Sequence, residues 1–295
     1  MSRLTGFAGA KVNLYLHVGP PGTDGYHPID SLMVFADVGD ILTLESAPTP
    51  AFTTSGAFSG AAPMDEANLV VRAARAVIGA AGGTSPTFTL HLDKRLPVAA
   101  GLGGGSSDAA AALRLVDGLL PAPLEAGALH DLAAGLGADV PACLAGVPVV
   151  ARGRGEQLSA APRLPILHAV LVNPGVASHT GPVFAAYDLQ PPPTGPLDPA
   201  PPDAFVTVEA LAAWLAEHTR NDLEAPSRVL TPDAGEAIDL LAASDLALLS
   251  RMSGSGATAF ALCADREDAQ ALAASIAAQR PGWWVRACRL GALPA

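Results

Sequence analysis

Lysine is almost absent from this chain: of 17 cationic residues only Lys11 and Lys94 are lysines, and the other 15 are arginines. Charge of either sign is scarce, at 15% of residues, and it is unbalanced, with 28 acidic residues giving a formal charge of −11. A chain this acidic is a poor candidate for non-specific binding to nucleic acid or to an anionic membrane, which needs basic patches. Cysteine is equally sparse. Cys143, Cys263 and Cys288 are odd in number and far apart, with neither a CxxC spacing nor a metal-like pairing with histidine. That usage predicts a reducing compartment and no disulfide framework. The opening Met1-Ser2-Arg3-Leu4-Thr5-Gly6 lacks the apolar run of a signal peptide. The longest uncharged stretch, Leu164 to Tyr187, is long enough to span a bilayer, but it contains Pro165, Pro174, Pro182, Asn173, Ser178 and two histidines. A lipid-facing helix does not accommodate those residues, so the expectation is a soluble cytoplasmic protein. No period of 20–50 residues repeats, which excludes a solenoid.

What is present is apolar. Half of the 295 residues are hydrophobic, enough for a large core, and the length suits two domains or one large α/β unit. Lys11 to Val18 alternates strictly and predicts a half-buried strand, with Val12, Leu14, Leu16 and Val18 on one face and Lys11, Asn13, Tyr15 and His17 on the other. Further strands are predicted at 31–35, about 40–45 and 87–92. Helices are predicted at 68–78, about 107–119 and about 124–136, and a short apolar segment follows Asp139. The pattern changes near residue 156. Gln190 to Asp203 holds seven prolines, too many for a regular element, and reads as an exposed loop or insertion in the C-terminal half. After a strand at 168–172, helices at about 207–217 and 233–243 precede strands near 246–251 and 259–264, a helix at 266–279 and a strand at 284–290. The order β-α-α-β-β-α-β suits an α+β sandwich with a ferredoxin-like element.

The strongest local signal is Pro97-Val98-Ala99-Ala100-Gly101-Leu102-Gly103-Gly104-Gly105-Ser106-Ser107 running into a helix. A helix N-terminus carries unpaired N–H groups and a partial positive charge, and glycines let the backbone approach an anion closely. Ser106 and Ser107 are placed to cap the helix or to turn a hydroxyl toward phosphate or metal. A flexible strand-to-helix turn needs fewer glycines than this. Two other phosphate loops are excluded by spelling: no Gly-Lys dipeptide exists for a P-loop, and Ser106 stands at the third glycine of a dinucleotide fingerprint.

This loop, together with Ala10-Lys11-Val12-Asn13-Leu14, Asp24-Gly25-Tyr26-His27, Leu136-Gly137-Ala138-Asp139-Val140-Pro141 and Met252-Ser253-Gly254-Ser255-Gly256-Ala257, resembles the GHMP kinase superfamily. Five collinear motifs spread the resemblance over essentially the whole chain. It lies nearer the branch that uses ATP to phosphorylate the 2-hydroxyl of 4-diphosphocytidyl-2-C-methyl-D-erythritol, in the non-mevalonate route to isoprenoids. The fold it implies is an N-terminal domain like ribosomal protein S5 domain 2, here 1–155, and a ferredoxin-like C-terminal domain, here 156–295.

The resemblance also implies roles. Asp139 is the base, with Lys11 beside it to offset developing charge; the alternative for Asp139 is an N-cap ahead of Pro141. Tyr26 and Phe184 stack on a cytosine, each stack worth about 1–3 kcal/mol, and His27 reads the base edge through a ring donor and acceptor. The plainer alternatives are turn packing for Tyr26 and a core aromatic for Phe184. Asn13 and Thr180 contact the acceptor. Asn68 and Lys94 lie near the adenosine, although Lys94 equally suits a strand-end surface charge. Gly254, Ser255 and Gly256 support the phosphate region or simply form a hairpin turn. Mg²⁺ is expected with ATP, held by phosphates and water and by no dedicated protein cage. The sequence departs from the family at Asp108, where Asn is frequent, and at Ala99-Ala100, where Gly is frequent. A carboxylate there either faces away from phosphate or meets Mg²⁺. Small-molecule partners only are expected, the protein being a monomer or weak homodimer. Other readings are a GHMP kinase for homoserine, mevalonate or a sugar, and a nucleotide-binding protein without catalysis.

Overall fold

The computed structural model describes residues 3–293 apart from 24, 62, 64, 84–86 and 192–194. Asp24 of the Asp24–His27 motif and Pro192 and Pro193 of the proline-rich segment therefore lie outside the described residues. The elements run β1 (Arg3–Asn13), β2 (His17–Val18), β3 (Ile29–Ser46), β4 (Ala51–Ser55), α1 (Leu69–Ala80), β5 (Phe88–Asp93), α2 (Gly104–Asp117), α3 (Ala126–Leu136), α4 (Val140–Ala145), β6 (Val149–Gly153) and β7 (Gln157–Ala160). The second half continues with β8 (Leu167–Asn173), α5 (Thr180–Tyr187), α6 (Val208–His218), α7 (Glu224–Leu230), α8 (Pro232–Ala242), β9 (Leu249–Met252), β10 (Ala259–Cys263), α9 (Arg266–Gln279) and β11 (Trp284–Gly291).

One mixed sheet runs through the molecule in the order β4-β5-β3-β11-β8-β10-β9, with β1, β2 and β6 also pairing with β3 and β7 with β6. The architecture is α+β, as the pattern predicts. The expected strands at 31–35 and 40–45 are one 18-residue strand, β3, because different partners take its two ends: β6 pairs with Ile29–Met33 and β5 with Ile41–Ser46. The antiparallel β8, β9, β10 and β11 form the second-half sheet, packed by α8 and α9.

One expectation about solvent changes. The Lys11–Val18 segment is buried on both faces, not one, and leaves the ladder between Asn13 and His17. Its polar side chains survive burial by pairing internally, as where the Tyr15 hydroxyl donates to Asp30 Oδ1 at 2.6 Å. The described part of the proline-rich segment forms no helix or strand, and it is moored to the body: His17 Nδ1 donates to the Leu197 carbonyl at 2.7 Å and Arg152 pairs with Asp198 at 3.1 Å.

Three helices escape the sequence pattern for one reason. Pro141 lies at the second position of α4, and Pro182 and Pro226 lie at the third positions of α5 and α7. Proline reads as a breaker, yet the first turn of a helix has no intrahelical use for those N–H groups and accepts it. Thus four helices among the described residues, not two, separate β8 from β9. No helix among the described residues is long and apolar enough to cross a membrane; the uncharged 164–187 stretch resolves into β8 and α5.

Candidate active site

A cleft of about 1290 Å³ opens between the glycine-rich loop, the N-terminal ends of α4 and α5, and the 254–255 turn. Its floor is β1. The register of β1 against β3 shifts between Gly9 and Lys11, and the Lys11 N–H donates to the Leu102 carbonyl at 2.8 Å, fastening the strand to the loop. Lys11 is buried, yet its Nζ reaches Asp139 Oδ2 at 3.2 Å and donates to Asn13 Oδ1 at 2.7 Å. Asp139 occupies the N-cap position of α4 but makes no capping bond through its side chain. The carboxylate turns to Lys11 instead and is one-third exposed to the cleft. Asn13 is held in turn: its amide donates to Ser31 Oγ at 2.7 Å, and that hydroxyl donates to the Tyr15 carbonyl at 2.6 Å. Two groups that act on a hydroxyl, a carboxylate and an ammonium, thus meet with an oriented amide at one point.

The loop is shaped by close approach. A Cβ on Gly101, whose φ is +75°, would lie 2.2 Å from the Ser253 carbonyl oxygen, and one on Gly103, φ +61°, would lie 3.1 Å from the Lys11 Cε. Gly101 therefore lets two loops meet backbone to backbone, and Gly103 makes room for the lysine stem. Gly103 is the N-cap of α2, which begins at Gly104, three residues earlier than expected. Ser106 and Ser107 consequently lie in the first turn and cap nothing. Ala99, Ala100, Gly101, Gly103, Gly104, Gly105 and Ser106 line the cleft. Ser107 does not: its hydroxyl donates to the Gly9 carbonyl at 2.7 Å, which removes it from the phosphate-facing role.

Ala99 sits at φ +50°, a left-handed conformation that costs an L-residue about 1–2 kcal/mol. Ala99→Gly should raise stability by about 0.5–1 kcal/mol, the relief of that strain less the entropy of an added glycine. Urea midpoints of the two proteins check this; an unchanged or lower midpoint contradicts it.

Opposite the loop, the Gly254 and Ser255 turn is tied down from several sides. Asn221 Nδ2 donates to the Met252 and Gly254 carbonyls, both at 2.8 Å, and the Ser178 hydroxyl donates to the Ser255 carbonyl at 2.8 Å. The Thr180 and Ser255 hydroxyls are 3.0 Å apart. The Ser253 hydroxyl donates to the Gly101 carbonyl at 2.9 Å, joining turn and loop. Gly256 follows behind the lining. Tyr26, His27, Thr180 and Phe184 all face the cleft. The His27 and Phe184 rings lie 5.2 Å apart, and the Arg154 guanidinium lies 3.9 Å from the Tyr26 ring centroid.

Two expected nucleotide contacts are used elsewhere. The Asn68 side chain caps α1, accepting from the Val70 N–H at 2.9 Å, and donates to the Pro63 carbonyl at 2.7 Å. Lys94 lies beneath the loop, its ammonium buried between Asp40 and Asp108, the latter at 2.8 Å. Neither side chain lines the cleft, nor do Pro97, Val98 and Leu102. Lys94 is not a strand-end surface charge either. Asp108 faces away from the cleft, with Oδ1 buried and unpartnered. Burial pushes its carboxyl up to about 7, against the opposing pull of Lys94. No group of three His, Cys, Asp or Glu side chains converges to hold a metal among the described residues. The three cysteines are free and buried, with burial pushing the thiols of Cys143 and Cys263 up to about 12, far from a reactive thiolate.

Sequence reasoning missed the residues that brace this site. Ser253 lies inside a motif already singled out. Ser31, Ser178, Asn221, Arg154 and Asp188 carry no local pattern, because each joins the site through contacts distant in sequence.

Comparison with known proteins places the chain. Residues 68–147 match the GHMP kinases N terminal domain and residues 204–281 the GHMP kinases C terminal domain. A 4-diphosphocytidyl-2-C-methyl-D-erythritol kinase from Caulobacter sp. (strain K31) is 56% identical over 98% of this chain and 99% of its own. The enzyme of that name from Hyphomonas neptunium is 48% identical over 99% and 98%. Among solved structures, a 4-(cytidine 5'-diphospho)-2C-methyl-D-erythritol kinase superposes with a TM-score of 0.78 at 34% identity, covering 98% of this chain and 99% of that one. A homoserine kinase from Cytophaga hutchinsonii, at 20% identity and a TM-score of 0.73, shares the fold.

Proposed function

This chain belongs to the GHMP kinases and, within them, to the 4-diphosphocytidyl-2-C-methyl-D-erythritol kinases, and from that premise we propose that it transfers the γ-phosphoryl group of ATP to the 2-hydroxyl of that cytidyl alcohol. The observation that carries the reading is the Lys11–Asp139 pair at 3.2 Å, at the cleft beside the glycine-rich loop. An alcohol is a weak nucleophile at neutral pH and gains from a base positioned at the moment of attack. Asp139 accepts the hydroxyl proton, and Lys11 offsets the charge on the transferring group. Asn13, locked by Ser31, orients the acceptor. Backbone N–H groups at the start of α2 receive the nucleotide phosphates. Transfer is direct and in line, so positioning and electrostatics carry most of the catalysis.

Among the described residues no cluster of three metal-ligating side chains offers Mg²⁺ a cage. Asp108, the nearest carboxylate to the loop in sequence, points into the protein, so the residues present do not fit a metal held by side chains. A divalent ion brought by ATP would rest on phosphate oxygens and water.

We read the chain as two units meeting near residue 155 and acting in the cytoplasm on small molecules alone. The two family matches fall on either side of that boundary, and both units contribute to the cleft.

The test is ADP release by purified protein with a panel of acceptor alcohols. Release with the cytidyl substrate, and little with homoserine, mevalonate or galactose, is expected. Equal turnover of homoserine or mevalonate would sink the assignment, and nucleotide binding without any release would leave a binding protein.

A further inference from the structure

Both ring nitrogens of His27 point at partners within the protein. Nδ1 lies 2.8 Å from the Gly19 carbonyl oxygen; a carbonyl only accepts, so Nδ1 bears a proton and donates it. Nε2 lies 3.2 Å from Asp188 Oδ1. The His27 side chain is 6% exposed and is packed by Phe184 and by the edge of Tyr187. Nε2 therefore faces that carboxylate at the edge of the cleft. A base read by this ring alone would need one of those two nitrogens released.

Asp188 is placed differently. Its side chain is 45% exposed and lines the same cleft as Tyr26, His27 and Phe184. It follows Phe184 by four residues at the end of α5, so ring and carboxylate share one helix face. One carboxylate oxygen lies against the His27 ring, 3.2 Å from Nε2. An ionised carboxylate only accepts hydrogen bonds, which suits an exocyclic amine and repels a keto oxygen.

We propose that Asp188 is a specificity-determining residue: one oxygen lies against the His27 ring, and the other accepts from the 4-amino group of the acceptor's base, selecting cytosine against uracil. This rests on the cytidyl reading above and assigns part of the base reading expected of the His27 ring to its neighbour. A uridyl acceptor would set its O4 against the same carboxylate and lose the bond. The wild-type protein should therefore prefer the cytidyl over the uridyl form roughly 10- to 100-fold in kcat/KM, the range of one good base-edge contact.

Steady-state kinetics of the wild type, Asp188→Asn and Asp188→Ala with both acceptors test this. For Asp188→Ala the preference should fall to within about threefold of unity, through a higher KM for the cytidyl form with little change in kcat. Asp188→Asn, whose amide also donates, should accept the uridyl form better than the wild type does. Should either variant fail to fold, the other carries the comparison, and equilibrium titration with cytidine and uridine diphosphates gives the same ratio without turnover. A merely structural role would lower both acceptors alike; a ratio left at its wild-type value overturns the proposal. If the wild type turns over neither acceptor, the kinase reading falls and takes this inference with it. Turnover of the cytidyl form with an unmoved ratio sinks the Asp188 inference alone.

Discussion

Asp139→Asn is expected to lower kcat by about 10²–10⁴-fold, the usual contribution of a positioned general base, while ATP affinity changes by no more than a few-fold. The separation follows from the geometry. Asp139 meets Lys11 through its side chain, whereas the nucleotide phosphates are assigned to backbone N–H groups of the glycine-rich loop. Asparagine keeps the size of the side chain and an oxygen for the Lys11 ammonium, so the site stays assembled and only the proton acceptor is lost. Asp139 makes no capping bond to α4, so the fold should not suffer through that route. ADP release under saturating substrates gives kcat, and calorimetric titration of ATP gives affinity. A variant retaining more than a tenth of wild-type kcat would remove Asp139 from the chemistry and return it to the surface of α4.

The second large effect is on stability. Lys94→Met is expected to destabilise the fold by about 3–5 kcal/mol, because it leaves the Asp40 and Asp108 carboxylates buried without their cation. Adding Asp108→Asn should recover a substantial part of the loss, since one of the two carboxylates then carries no charge. Asp40 keeps the Arg95 and Leu96 N–H groups as donors. If Lys94→Met alone does not yield folded protein, the double variant and Asp108→Asn still report on the triad.

The same cluster has a pH signature. Burial holds the Asp108 carboxyl at about 7 in the folded protein, above its unfolded value, so the folded state binds this proton more tightly. Its contribution to stability is greatest below the unfolded value and is lost as pH rises toward and through about 7. Asp108→Asn should remove that slope. Urea midpoints between pH 4 and 8 measure it; parallel curves for wild type and Asp108→Asn would show that Asp108 does not titrate in this range.

The lysines show how far the linear chain can be read. Both of the two lysines matter, but in different ways. Lys11 shares its strand face with Asn13, and period-2 alternation put the two together before any contact was known. Lys94 was expected beside the nucleotide from the family resemblance, with a strand-end surface charge as the alternative. It lies under the loop instead, because Asp40 and Asp108, 54 positions before and 14 after it, close around its ammonium. Net charge gave no hint of this. The Asp139 alternatives divide in the same way: spacing before Pro141 suited a cap and the family resemblance implied a base, and only the approach of β1 decided which group the carboxylate meets.

Local chemistry was enough to determine the α+β class, the long helices α1, α3 and α9 and the glycine-rich loop, whereas the other residues that face the cleft were expected from the family resemblance. Periodicity, spacing and glycine content act over a few residues and are written directly in the chain. Tertiary structure alone decided that α2 starts at Gly104, that Ser107 turns inward, that Asn68 caps a helix, and that the short helices α4, α5 and α7 form despite their prolines. It also decided that both His27 ring nitrogens face groups of the protein and that Asp188 stands beside the ring. Each of these depends on which distant backbone or side chain supplies the partner for a buried polar group, and that pairing exists only once the strands and loops have packed.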